Sequence, residues 1–172
     1  VSIVDIDGQA GKSTVSQIHS TGGEAILVES DLGNTPGCKE AVIKTVSNLG
    51  SIDVLVNNVG IQGPASYTNV EDTSEKMWDR IITVNLKSYF LMAKYCIPEI
   101  RKRGGGAIIN IASVQGLQSQ KLVPAYAASK GGILSLTRQL SLDYADENIR
   151  VVAVNPGTID TEMVRSMAKL ED

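Results

Sequence analysis

Short apolar runs alternate with longer amphipathic stretches along the whole chain, and this rhythm predicts its elements. Residues 1–6 (VSIVDI) read as a strand and 9–20 as a helix, which Gly22-Gly23 breaks. Residues 24–29 (EAILVE) read as strand, 37–49 as helix, and 53–56 (DVLV) as a short buried strand. A long helical stretch follows from about 74 to 103. Asp72, with Glu75 three residues on, predicts its cap, Pro98 predicts a bend, and Gly104-Gly105-Gly106 stops it. Residues 107–111 (AIINI) read as strand, 125–144 as helix and 149–154 (IRVVAV) as a last strand. Strands that are apolar throughout, set between amphipathic helices, predict a parallel sheet covered on both faces. The expected fold is a doubly wound, Rossmann-like α/β sheet, forming a single domain over residues 1–172 with no linker.

In such sheets ligands bind beyond the carboxyl ends of the strands. The residues that follow the predicted strands are therefore the candidates. They are Asp5 and Asp7, Asp31-Leu32, Asn57-Asn58-Val59-Gly60, Ala112-Ser113 and Asn155-Pro156-Gly157. One edge of the sheet collects acids, amides, glycines and a hydroxyl.

Composition narrows the chemistry. A chain of 172 residues with 42% apolar residues is enough for one good core. The net charge of −3 argues against a nucleic-acid partner, and Arg101-Lys102-Arg103 falls where cations complement a helix C-terminus. Two distant cysteines, Cys38 and Cys96, suggest reduced thiols and a cytoplasmic setting. His19 is the single histidine and is expected exposed on the first helix, so no metal site and no Ser-His-Asp triad is expected. No apolar run reaches the roughly 18 residues of a membrane span. The chain begins without Met and in mid-strand, so an N-terminal targeting segment stays open. Gly11-Lys12-Ser13-Thr14 looks like the end of a phosphate loop, but Ile6 stands where that motif needs its first glycine.

Asp5 carries more. A carboxylate at the end of the second strand of a dinucleotide fold accepts hydrogen bonds from adenosine ribose hydroxyls and repels the extra phosphate of NADP. Asp7 adds a second negative charge, and no Lys or Arg follows until Lys12. Alone, Asp5 reads equally well as a solvated turn acid. The strongest constellation is Ser113 with Tyr126-Ala127-Ala128-Ser129-Lys130. Tyr and Lys four apart share one helix face. A free phenol has a pKa near 10, and a nearby ammonium favours its ionised form. At about 4 Å and an effective dielectric near 20 the attraction is on the order of 4 kcal/mol, or roughly three pKa units. That suits proton exchange with an alcohol near neutral pH.

Taken together these residues resemble the classical short-chain dehydrogenase/reductase family, and the likeness runs through the whole chain. Asn57-Asn58-Val59-Gly60 is similar to that family's Asn-Asn-Ala-Gly, with Val for Ala; Asn85 matches its helical asparagine. Ser113 precedes Tyr126 by the family's interval, and Pro156-Gly157 with Ile159 and Thr161 matches the segment that holds the nicotinamide. The resemblance implies an NAD-dependent oxidoreductase, with NADP disfavoured, acting on a small-molecule secondary alcohol or ketone. Tyr126 would be the general acid/base, and Lys130 would lower its pKa and hold the nicotinamide ribose. Ser113 would bond the substrate oxygen, and Asn85 would anchor a water relaying protons to Lys130. Asp5 with Ile6, Asp31 with Leu32, and Asn58, Val59 and Gly60 would line the adenosine side. Gln115 and Gln120 are candidates for the substrate pocket, or equally surface glutamines; Trp78 and Tyr89 read as core or subunit contacts. The resemblance also implies a homo-oligomer, a tetramer or dimer built on the two long helices.

Family members run to roughly 250 residues. The chain is expected to be an internal segment, from the second strand through the Pro-Gly motif, without the first strand, its Gly-rich turn or the C-terminal part. Without that central strand, a slot roughly 10 Å wide should open between the strand ending at Asp5 and the one ending at Val56. The alternative is a non-catalytic or truncated dinucleotide-binding scaffold of the same fold.

Overall fold

A computed structural model describes residues 1–161 and 164–165. Strands and helices follow in the order β1 (Ser2–Asp5), α1 (Gly8–Ser20), β2 (Ile26–Glu29), α2 (Thr35–Leu49) and β3 (Val54–Asn57). Then come α3 (Glu75–Ile82), α4 (Ser88–Lys102), β4 (Gly106–Ile111), α5 (Pro124–Asp143) and β5 (Ile149–Val154).

Local chemistry sets most boundaries. Asp7, expected as a second charge near a ribose, caps α1 instead, its Oδ1 accepting from the Gln9 and Ala10 amides at 2.9 and 3.1 Å. Asn34 caps α2 through the Gly37 amide at 2.8 Å. The cap of α3 is Ser74, not Asp72. Ser74 stands extended directly before Glu75 and accepts from the Met77 amide at 3.2 Å. Asp72 lies in a preceding turn, where its amide donates to Asn69 Oδ1. The expected long helix is continuous, but α3 and α4 meet through a π-turn at Thr83–Lys87. Gly104 and Gly105 end it in the positive-φ region, at 83° and 126°. Arg101 and Arg103 then pair with Glu147 and Asp53 in solvent.

Every strand pairing is parallel, yet the sheet is in two parts: β1-β2, and β3-β4-β5. The interruption falls between β1 and β3, where the slot was expected. One apolar core nonetheless runs across it. Val28, Ala41 and Val42 belong to the same buried cluster as Leu55, Leu91, Ile97, Ile108 and Val151.

Over β3-β4-β5 the two faces differ among the described residues. Leu55, Ile108, Ile149 and Val151 are buried, whereas Val54, Val56, Val152 and Val154 stand half exposed. Strand side chains alternate between faces, and among the described residues only one face is covered, by α4 and α5.

Candidate active site

The carboxyl ends of β3, β4 and β5 face the N-terminal half of α5, and buried hydrogen bonds tie them together. Asn57 and Asn110 are register partners on neighbouring strands. Asn57 Nδ2 donates to Asn110 Oδ1 at 2.9 Å, and Asn110 Nδ2 donates to Thr137 Oγ1 on α5 at 2.9 Å. Asn57 therefore ties β3 to β4 through side chains as well as backbone. Asn85 sits inside the π-turn, fully buried. Its Oδ1 accepts from the Ile61 amide at 2.8 Å, and its Nδ2 donates to the Ile61 carbonyl at 3.0 Å. It pins the loop after β3. A π-turn offsets the helix at this residue, a device common at functional sites, and no periodicity in the sequence announces it.

Close packing brings Ser113 to α5. The short turn Val114–Gly116 lies on the helix, and a Cβ on Gly116 would stand 2.8 Å from the Lys130 carbonyl oxygen. Ser113 Oγ accepts from the Gln115 amide at 3.1 Å, which leaves its proton to donate. That hydroxyl lowers the Tyr126 phenol and so opposes burial, which outweighs it and pushes the phenol above its usual range. The sequence argument gave Tyr126 a lowered pKa; in the folded chain burial outweighs it. Lys130 explains part of this. Its ammonium lies 5.6 Å from the Tyr126 ring centroid but donates to the Ile111 carbonyl at 2.8 Å. Lys130 is itself 4% exposed, and burial lowers it to about 8.

The remaining candidates divide. Gly60 lies beside this cluster, where a Cβ would stand 3.8 Å from Asn85 Oδ1 and 3.9 Å from Lys130 Nζ. Val59 packs on the Tyr89, Ala112, Ile133 and Leu134 cluster, and Asn58 is exposed. The Pro156 carbonyl accepts from the Val114 amide at 3.1 Å, so that segment joins the Ser113 turn. Gly157, Ile159 and Thr161 are exposed, and the Thr161 carbonyl accepts from the Arg165 amide at 2.9 Å. Gln115 and Gln120 clasp each other beside Ser113, with Nε2 to Oε1 at 2.9 Å and the Gln120 amide to Gln115 Oε1 at 2.9 Å. Gln120 also lies near enough to the Tyr67 phenol to lower it against burial, at a residue the sequence gave no reason to single out.

A second, more open region lies at the ends of β1 and β2. Ile6, Ser30, Asp31, Asn34, Pro36 and Glu40 are among the residues lining a cleft of about 370 Å³. Asp5 Oδ1 accepts from the Asp7 amide at 2.9 Å, and Asp31 holds Gly33 and Asn34. Leu32 turns away and packs on the core. Among the described residues two buried side-chain polar atoms have no partner, Asn155 Oδ1 after β5 and Gln62 Nε2 in the loop after β3. Among the described residues no cluster of His, Cys, Asp and Glu is placed to hold a metal, and no helix is long and apolar enough to cross a membrane.

Parallel strands whose carboxyl ends bring Ser113 against Tyr126 and Lys130 of α5 define a Rossmann-like protein of the dehydrogenase kind. The chain belongs to the short chain dehydrogenase family, which matches residues 1–172. It is 42% identical over 98% of its length to an uncharacterised oxidoreductase of Thermotoga maritima, and spans 65% of that protein. It is 36% identical to the cyclohexanol dehydrogenase of an Acinetobacter species, covering 99% of this chain and 67% of that one. Among solved structures, a 7 alpha-hydroxysteroid dehydrogenase complexed with NADH and a 7-oxo bile acid conjugate matches with a TM-score of 0.90. Its identity is 31%, with 96% of this chain and 64% of that one covered.

Proposed function

We propose that the protein is an NAD-dependent oxidoreductase interconverting a small secondary alcohol and its ketone. The observation that carries this reading is the convergence of Ser113, Tyr126 and Lys130 against the strand ends. In the reducing direction Tyr126, kept protonated by burial, donates its proton to the carbonyl oxygen. The Ser113 hydroxyl stabilises charge on the same oxygen. In the oxidising direction Tyr126 takes the alcohol proton, and Lys130, still largely an ammonium at neutral pH, favours the phenolate.

The residues fit a nicotinamide dinucleotide. Asn155 Oδ1 is a buried acceptor with no donor, a costly state that an amide or hydroxyl of the cofactor would relieve. Lys130 would lie at the nicotinamide ribose, Pro156 and Gly157 at the nicotinamide, and Ile6 and Asp31 at the adenosine; Gly60, expected on the adenosine side, stands beside Lys130 instead. Bound NAD supplies the hydride acceptor, and its oxidised ring adds positive charge that favours the phenolate. Asp5 beside the cleft supports NAD over NADP. The cyclohexanol and cyclopentanol dehydrogenases among the relatives suggest cyclic alcohols as first substrates. A cytoplasmic homo-oligomer completes the reading, with Phe90 on α4 and Leu142 on α5 exposed for subunit contact.

The test is NAD-linked oxidation of cyclohexanol by the full-length protein and its Tyr126→Phe variant. Turnover should fall about 10²- to 10⁴-fold with circular dichroism unchanged. Equal activity in the variant sinks the mechanism, and cofactor binding without turnover on a broad carbonyl panel would favour a non-catalytic binding protein.

A further inference from the structure

Two side chains from different elements meet on one backbone oxygen beneath the candidate site. The Lys130 ammonium donates to the Ile111 carbonyl at 2.8 Å, and the Tyr89 hydroxyl donates to the same oxygen at 3.0 Å. A carbonyl oxygen has two lone pairs, so these donors fill it. Tyr89 is 0% exposed, and its ring centroid lies 6.0 Å from the ammonium. A buried phenol needs some acceptor, and a core tyrosine with a satisfied hydroxyl would be the plain reading. The choice of acceptor says more, because Ile111 ends β4, two residues before Ser113, and already holds the lysine.

We propose that Tyr89 is a positioning residue for the Tyr126–Lys130 pair. By taking the second lone pair of the Ile111 carbonyl, it fixes that oxygen and limits the ammonium to one backbone hydrogen bond. The remaining N–H groups of Lys130 then stay available to the site. This rests on the function proposed above, in which Lys130 acts on Tyr126 and the cofactor ribose.

The surroundings are simple enough for a clean test. Among the described residues, the titratable groups facing Lys130 are Tyr126 on its own helix and Tyr89 from α4. Strand β4 offers the Ile111 carbonyl, and the loop after β3 offers Gly60 with neutral Asn85 beside it. Burial accounts for the lowering of Lys130. Deleting the Tyr89 hydroxyl removes a competing donor, so the bond from ammonium to carbonyl strengthens and the charged form gains.

The experiment follows the Lys130 side chain by carbon–nitrogen NMR across pH in the full-length, cofactor-free protein and in Tyr89→Phe. The pH profile of kcat/KM is measured in parallel on the alcohol used above. The Lys130 titration should rise by about half a pH unit, and the alkaline limb of kcat/KM should move with it while KM barely changes. Tyr89→Met, which also lacks the hydroxyl, should give the same upward shift and serves if the phenylalanine variant does not fold. An unmoved Lys130 titration overturns the proposal and leaves Tyr89 a core residue whose loss shows only as a lower Tm. If the unmodified protein turns over no alcohol, the proposed function fails, and the NMR titration still decides whether Tyr89 governs the ammonium.

Discussion

The two candidate edges of this molecule, at the carboxyl ends of β1-β2 and of β3-β4-β5, are held by different kinds of bond. At the ends of β1 and β2 the polar side chains reach two or three residues along the chain: Asp5 to Asp7, Asp31 to Gly33 and Asn34, Asn34 to Gly37. At the ends of β3 and β4 they reach across the fold: Asn57 to Asn110, Asn110 to Thr137, Asn85 to Ile61, Lys130 to Ile111. The first edge is open to water and shaped by local turns, as suits a surface that a ligand lies along. The second is buried, so each bond there fixes one element against another in a low-dielectric setting. Chemistry that depends on sub-ångström placement belongs at the second edge.

The contrast breaks first, and most strongly, at Asn110. Asn110→Ala leaves Asn57 and Thr137 buried with a lost partner, and stability should fall by about 3 kcal/mol. The matching change at the open edge, Asn34→Ala, removes a helix cap and should cost about 1 kcal/mol. Urea midpoints of the two variants measure the difference, and equal losses would mean the two edges are not held differently.

Titration sharpens it next. Lys130 titrates near 8 when folded and near 10.5 when unfolded. Between those values the unfolded chain holds the extra proton, so stability rises with pH, by about 1.4 kcal/mol per unit. The buried Cys38 and Cys96 act oppositely. Burial lifts them from 9.0 to about 11 and about 12, so above pH 9 the unfolded chain loses their protons first. Because the two unfolded thiols already begin to ionise below pH 9, stability should climb by only about 0.3 kcal/mol from pH 8 to 9 and decline beyond, with Tyr126 and Tyr89 deepening the fall above 10. A steady fall from pH 8 would mean that Lys130 is not desolvated in solution.

The smallest effect is at the open edge. Asp5→Asn removes a charge at a partly exposed site, and the ratio of kcat/KM for NAD over NADP should drop only severalfold, since such charges are well screened. An unchanged ratio would mean that Asp5 does not read the ribose.

What could be read along the chain was whatever is settled within a few residues. The strand and helix succession, Gly104-Gly105 as a stop, and Tyr126 one turn from Lys130 all follow from local periodicity and spacing. Even there the cap of α3 fell at Ser74 rather than Asp72, because both are good caps and only the backbone chooses between them. Gly116 was legible as a glycine but not as the point where the Ser113 turn touches α5. Tyr89 read as a core residue, and its shared carbonyl with Lys130 is invisible until α4 packs on β4. The direction of the Tyr126 shift went the same way. Sequence gives the distance between two charges on a helix, but not how much water each has lost.

The sequence by itself determined the order of elements, the parallel α/β architecture and the residues that meet at the strand ends. Their periodicity and turn chemistry are local and act before the chain is packed. Only the tertiary structure decided that one apolar core runs across the two parts of the sheet. It also decided that Asn85 pins a loop from within a π-turn, and that burial, not the ammonium, governs Tyr126. Each of these depends on which distant surfaces exclude water from one another, and no window of sequence contains that information.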